Sequence, residues 1–286
     1  VSIEPQQTLP APGYTGELVL RAAGLAKRFG DNVAVSHVSF DLAAGESLGI
    51  VGESGSGKST TARMLVGLET PSEGTIEFFG NPTPTNTRAA RLHRAKVIQM
   101  IFQDPYQSFD SRLTVAHAVE EPLRLHTKMT RPERNAEVAR LLDQVGLTGR
   151  QGKSLPRELS GGQRQRAAIA RALGINPRIL VLDEAVAALD VSIQAQVMEV
   201  LNTIRSETGV AFVFVSHDLG VVRYMTDRTL VMRHGVVVEQ GDTEHLLASP
   251  AHPYTRLLLD SVPAPGWDLD QLARDRRELG DQAAVS

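Results

Sequence analysis

The 286-residue sequence contains no cysteine, which excludes disulfides and thiolate metal sites and fits a reducing compartment. Long apolar runs are also missing. The longest, Val210 to Val215, is far too short for a bilayer-spanning helix and reads as a strand. Basic charge is not in excess: Lys and Arg number 30 against 33 Asp and Glu, a formal net charge of -3. That argues against a nucleic-acid binder relying on a broad basic surface. The 8 histidines include no metal-like spacing, so no protein-built metal site is expected. Residues 1–16 carry Pro5, Pro10 and Pro12 but no basic start followed by an apolar core. They read as a flexible lead-in rather than a secretory signal. Any membrane role then falls to partners. What remains is ordinary: 42% hydrophobic and 22% charged residues, enough for one large domain or a domain with a subdomain.

The stretch that organises the chain is Gly52-Glu53-Ser54-Gly55-Ser56-Gly57-Lys58-Ser59, which fits the phosphate-loop pattern. Ser47 to Val51 before it read as a short buried strand, and Thr60 to Leu68 after it as a helix. Gly55 and Gly57 let the backbone curl with N–H groups inward, making a nest for an anion. The helix that begins near Lys58 adds its free N–H groups and the positive end of its dipole. Lys58 can reach the β- and γ-phosphates, and the Ser59 hydroxyl can ligate Mg²⁺. The chain is expected to bind a nucleoside triphosphate.

Upstream, Leu18 to Ala22 and Val33 to Leu42 read as two antiparallel strands joined through Lys27 to Asn32. Phe29 lies at that connection, and from spacing alone it reads as a partly exposed aromatic covering core. Downstream, Thr75 to Phe79 is a strand, Pro82 and Pro84 open a loop, and Arg88 to Lys96 is a basic helix. No aromatics interleave with its charges, so a solvated face is the better reading than a nucleic-acid patch. Val97 to Phe102 is a buried strand running into Gln103, and Thr114 to Gly146 is helical, an insertion between two halves of an α/β sheet.

Three later stretches look like site elements. Leu159-Ser160-Gly161-Gly162-Gln163 precedes a helix from about Arg164 to Leu173, with Ser160 a good N-cap. Taken alone, a flexible capped helix start explains it equally well. Ile179 to Leu182 is a buried strand that delivers Asp183 and Glu184 to its C-terminal end, where α/β sheets bind ligands. Asp183 is placed to hold Mg²⁺, leaving Glu184 to polarise a water. Val210 to Val215 brings His217 to the same edge. Thr229 to Met232 and Val236 to Glu239 read as a hairpin around His234-Gly235, and helices follow near Glu244 to Ala248 and Tyr254 to Leu259. The tail from Ser261 has one helical patch, Leu272 to Leu279.

Together these motifs resemble the ATP-binding cassette of ABC transporters, across roughly Leu18 to Tyr254. The signature loop at Leu159 to Gln163, between a phosphate loop and Leu182-Asp183-Glu184, separates this family from other phosphate-loop ATPases. The resemblance implies an α/β fold, a phosphate-loop NTPase of the ABC ATPase type. Its parts are an N-terminal antiparallel β subdomain, a RecA-like parallel-sheet core and an inserted α-helical subdomain. The expected boundaries are a cassette over residues 17–250, with the helical subdomain at about 104–165, and a C-terminal extension over 251–286. It further implies ATP and Mg²⁺ as ligands. Phe29 would stack on adenine; Gly52, Ser54, Gly55, Ser56, Gly57, Lys58, Ser59 and Thr60 would hold the phosphates. Ser59, Gln103 and Asp183 would serve the metal, Glu184 would be the general base, and His217 would contact the γ-phosphate. Gln103 would also link the site to a membrane subunit. Ser160, Gly161, Gly162 and Gln163, with Asp190, would serve ATP held by an opposite cassette. Ala187 stands where the family usually has Ser, a change that leaves the base, the lysine and the metal ligands in place.

Phe102-Gln103-Asp104-Pro105-Tyr106, Gln163-Arg164-Gln165-Arg166 and His252-Pro253-Tyr254-Thr255 resemble the oligopeptide/dipeptide importer cassettes. The implied partners are a second cassette, two transmembrane permease subunits and an extracytoplasmic solute-binding protein, with the chain at the cytoplasmic face of a bacterial plasma membrane. Some members hold an iron–sulfur cluster through cysteines that this sequence lacks. Nickel and oligosaccharide importers carry similar cassettes. The other class, cassettes acting in DNA repair or translation, usually adds a coiled coil, a zinc insertion or a second cassette, and none of these is present.

Overall fold

The computed structural model describes residues 16–83, 87–104 and 108–261. The lead-in to residue 15, Pro84, Pro105, Tyr106 and the tail with the Leu272 to Leu279 patch lie outside the described residues.

The first two strands are longer than their apolar stretches. β1 (Leu18–Phe29) and β2 (Asn32–Ala43) pair antiparallel, Leu20 opposite Leu42 and Phe29 opposite Asn32. Only Gly30 and Asp31 are left as the turn, not the whole of Lys27 to Asn32. The charged residues stay in the ladder because the tip projects beyond the core. There Lys27 Nζ sits 2.9 Å from Glu69, an ion pair that offsets the partial burial of both side chains. β3 (Ser47–Val51) leaves this sheet for a second one, and α1 (Lys58–Val66) follows it. β4 (Glu73–Phe78) and β5 (Asn81–Pro82) return to the first sheet, in the order β2-β1-β4-β5. β4 stops one residue short of the expected end because Phe79 adopts a left-handed φ of 52°.

α2 (Arg88–Val97) runs without a loop into β6 (Ile98–Ile101), so Val97 closes the helix rather than opening the strand. The long helical stretch after it divides into α3 (Val115–His126), α4 (Arg131–Gln144) and the short α5 (Gly149–Lys153). The break between α3 and α4 is encoded by Thr130 and Glu133, a capping box in which the Thr130 N–H donates to the Glu133 carboxylate at 2.6 Å. α6 (Gly161–Leu173) begins three residues earlier than its apolar pattern suggests, because Ser160 and Gln163 cap it reciprocally.

β7 (Ile179–Asp183), α7 (Val191–Thr208), β8 (Ala211–Val215), α8 (Leu219–Met225), β9 (Arg228–Arg233), β10 (Val236–Asp242), α9 (Thr243–Ala248) and α10 (Pro253–Asp260) complete the order. The second sheet runs β10-β9-β3-β8-β7-β6. All its neighbours pair in parallel except β10 with β9, and β3, β7 and β8 are buried along their whole length, as expected where both faces are covered. In register, Ile50 and Asp183 both lie opposite Val215, and Ile101 lies opposite Leu182. The loops after β3, β6, β7 and β8 therefore emerge at one edge.

The apolar side chains of β1, β2 and α1 pack with one face of the parallel sheet, and those of α3, α4, α6 and α7 with the other. A buried ion pair joins the two sheets: Arg228 Nε donates to Glu46 Oε1 at 2.9 Å, and its guanidinium also reaches the Asp41 carbonyl. Among the described residues no helix is long and apolar enough to cross a membrane.

Candidate nucleotide-binding site

β3 ends against the phosphate loop, and two glycines there have no substitute. Gly52 has φ 149°, and a Cβ on it would lie 2.1 Å from the Met232 carbonyl oxygen. Gly57 has φ 102°, and its Cβ would lie 2.5 Å from the Ala34 carbonyl oxygen. Both positions are closed to any side chain. Gly57 forms the N-cap of α1, so the free N–H groups of the helix face the loop. The β9–β10 turn rests on the same loop, where the Gly235 N–H donates to the Ser56 carbonyl at 3.0 Å.

Lys58 is 4% exposed, and its ammonium donates to the carbonyls of Gly52 at 2.8 Å and Glu53 at 2.7 Å. Burial lowers its pKa, opposed by the charges of Glu184 and Asp183. Ser59 donates from its hydroxyl to Asp183 Oδ1 at 2.8 Å. Burial raises the Asp183 pKa, with the Ser59 hydrogen bond acting the other way. Here the sequence separated by more than a hundred positions two oxygen groups that the parallel register places side by side. Glu184, next along, adopts a left-handed φ of 49° while its N–H donates to Val215. Its carboxylate lies 3.4 Å from Nδ1 of His217. The residues expected to act separately, one on water and one on phosphate, are thus in contact.

A cavity of about 460 Å³ opens in front of the loop, lined by Ser54, Gly55, Gly57, Lys58, Ser59, Thr60 and Glu184 on one side and by Phe29 on the other. Phe29 does not cover core, contrary to the reading from spacing. It is 48% exposed, with the Lys27 ammonium 4.9 Å from its ring centroid. Asn32, Val33, Ala34 and His234 also line the cavity, and sequence reasoning missed all four. His234-Gly235 announces only a turn, and nothing local tells that the turn folds onto the phosphate loop.

The other expected site residues stand apart from this cavity. Gln103 follows β6 at the same sheet edge but is exposed and does not line it. Ser160, Gly161, Gly162 and Gln163 form the first turn of α6 against the start of α7. A Cβ on Gly162 would lie 2.2 Å from Cγ2 of Ile193, and one on Gly161 would lie 3.5 Å from Leu189. Asp190 precedes α7, and its carbonyl accepts from the N–H groups of Ile193 and Gln194. The start of α6 thus lies outside the cavity at the start of α1.

Residues 35–187 match the family described as ABC transporter, and residues 238–285 match the oligopeptide/dipeptide transporter C-terminal region. A glutathione import ATP-binding protein of Pectobacterium atrosepticum is 46% identical over 99% of this chain, which spans 48% of that relative's length. A putative peptide import ATP-binding protein of Brucella abortus is 47% identical over 87% of this chain and 71% of its own length. An oligopeptide transport ATP-binding protein of Bacillus subtilis is 46% identical over 85% of this chain and 74% of its own. Among solved structures, cbiO1 of Clostridium perfringens, part of the ABC transporter complex cbiONQ, superposes with a TM-score of 0.74 at 28% identity, covering 82% of this chain and 92% of that one. The cassette MJ0796, solved as a dimer bound to ADP and Pi, gives 0.71 at 30% identity over 78% of this chain and 98% of that one. The chain belongs to the ABC transporter family, as an ATP-binding cassette of its oligopeptide/dipeptide branch.

Proposed function

We propose that this chain hydrolyses ATP to drive the import of short peptides, working as one of a pair of cassettes. The observation that carries the reading is the cluster at one sheet edge: buried Lys58, Ser59 bonded to Asp183, and Glu184 against His217. On ATP binding, Lys58 exchanges the Gly52 and Glu53 carbonyls for β- and γ-phosphate oxygens. A buried ammonium is worth most where negative charge accumulates during phosphoryl transfer. The loop N–H groups and the start of α1 hold the same oxygens. Phe29, exposed at the mouth of the cavity, presents a ring face to adenine.

A hydroxyl and a carboxylate, both hard oxygen donors, suit Mg²⁺, so Ser59 and Asp183 fit it. Bound there, the ion supplies neutralisation of the phosphate oxygens. Glu184 takes the proton of the attacking water, and His217 orients Glu184 and contacts the γ-phosphate. Gln103 is carried from β6 towards the site and reports its state outward. A second groove of about 460 Å³, lined by Phe102, Glu121, Leu125, His126 and Arg171, adjoins that strand. Leu125 in it is 63% exposed, which suits a seat for a permease subunit.

Ser160, Gly162 and Asp190, away from this chain's own cavity, serve ATP held by the opposite cassette. On this reading residues 17–250 are the cassette, with a helical subdomain at about 104–165, and residues 251–286 are an extension. The complex includes two permease subunits and a solute-binding protein, and the chain works at the cytoplasmic face of the membrane. Support for a peptide solute comes from the import proteins of the same branch. Affinity capture from gently solubilised membranes tests the assembly. Recovery of two multispanning subunits with a solute-binding protein that takes short peptides is expected. Recovery of only DNA-repair or ribosomal proteins contradicts it.

A further inference from the structure

Tyr254 belongs to α10, in the C-terminal extension, yet it is 1% exposed and its ring lies in a cluster with Val51, Val222, Val231 and Leu246. Val51 is the last residue of β3, so the extension packs directly behind the phosphate loop. The phenol goes further. The N–H of Glu53, second residue of the loop, donates to the Tyr254 hydroxyl at 3.0 Å. The carbonyl of the same Glu53 accepts from Lys58 at 2.7 Å. A single residue of the loop therefore links α10 to the phosphate-binding lysine.

The approach of α10 is itself fixed. The carboxylate of Glu239 on β10 accepts from the N–H groups of Ala251 at 2.8 Å and His252 at 3.1 Å. His252 Nδ1 then caps the helix by accepting from the Tyr254 N–H at 3.1 Å, and Pro253 occupies the first turn, where a missing N–H is harmless. The guanidinium of Arg233 lies 5.0 Å from the centroid of the Tyr254 ring. Arg233 ends β9 immediately before His234, which lines the nucleotide cavity. So His252, Pro253 and Tyr254 act as a stop that sets where the loop's first turn can lie.

We propose that Tyr254 is a positioning residue for the phosphate loop, holding the Glu53 peptide so that the N–H nest and Lys58 are arranged for phosphate before ATP arrives. The inference rests on the ATP-binding reading above and adds that the C-terminal extension takes part in nucleotide binding. Without the hydroxyl, the hydrogen bond that ties the Glu53 N–H to α10 is lost, and the Glu53 peptide is no longer held in one orientation. A loop that must be reordered on binding takes up its ligand more weakly.

The test is Tyr254→Phe, which keeps the ring and its packing, beside Leu246→Val, which loosens the same apolar cluster without approaching the loop. ATP binding is measured with a fluorescent ATP analogue, and the KM and kcat of hydrolysis are measured on the same preparations, with Tm as a control. The expected result is a loss of affinity and a rise in KM of about three- to tenfold for Tyr254→Phe with kcat within about twofold, a split that marks altered ground-state binding. Leu246→Val should lower Tm with parental affinity. Parental affinity in Tyr254→Phe overturns the proposal, as does an equal loss in Leu246→Val at matched Tm. Both leave the ATP reading standing, whereas a parent chain that binds no analogue contradicts the two together.

Discussion

At Asp183 a carboxylate is drawn out of water at the end of β7, and burial raises its pKa. The sign of the linkage follows. A folded pKa above the unfolded value means that the folded chain holds this proton more tightly. The stability from this group is full below the ordinary carboxylate pKa and is lost as pH rises through the raised folded value. At neutral pH the charge is therefore a local cost, kept for what it can bind. Asp183→Asn preserves an oxygen that can accept from Ser59 and removes the charge. Its Tm at neutral pH should match or exceed the parent's in scanning calorimetry, while Mg²⁺-dependent ATP hydrolysis falls at least about 100-fold, of the order expected when a key electrostatic group is lost. A variant that loses stability at pH 7 but keeps its turnover contradicts this account. The residue types at this edge were legible in the sequence, because a phosphate loop and a buried strand ending in Asp-Glu announce themselves locally. Their partners were not: the contact of Glu184 with His217 depends on how β7 and β8 register.

The start of α6 shows how one element can answer to two demands. Ser160 and Gln163 close a capping box that satisfies local N–H groups, and so the helix begins earlier than its apolar pattern shows. Gly162 lies inside that first turn, and a Cβ there would meet Ile193 at 2.2 Å. The glycine is required by the packing of α6 on α7, independently of any anion. Gly162→Ala should destabilise the chain by about 1–3 kcal/mol, the range for overpacking. Adding Ile193→Ala, which removes the colliding Cγ2, should return part of that loss, and urea titration of the four chains of a double-mutant cycle measures the coupling. Strict additivity would mean that Ile193 is not the obstacle. The cap was readable from Ser160 and Gln163, since it involves residues three apart. The collision with Ile193 was not, because it joins residues whose proximity only the tertiary fold decides. The same holds for β1, which the sequence reading ends at Ala22 while its ladder runs to Phe29.

For the whole molecule, the parallel sheet gathers the ends of β3, β6, β7 and β8 at one edge, and α10 closes the loop from behind. The order of buried runs made the α/β class and the antiparallel N-terminal sheet readable, because each strand is either continuously apolar or joined to its neighbour by a turn. The cavity walls supplied by Asn32, Val33, Ala34 and His234, and the reach of Tyr254 to Glu53, stayed hidden. They bring together residues distant in the sequence, Glu53 and Tyr254 being 201 positions apart, with no local signature. The central claim is that this edge is a catalytic centre in which Glu184 activates water against ATP. It is tested most directly by steady-state ATP hydrolysis of Glu184→Gln beside the parent, with ATP binding confirmed on the same samples. Retained binding with turnover reduced by at least about 100-fold, the lower range for loss of a general base, is the result the geometry predicts. Turnover equal to the parent's contradicts it and moves the base elsewhere.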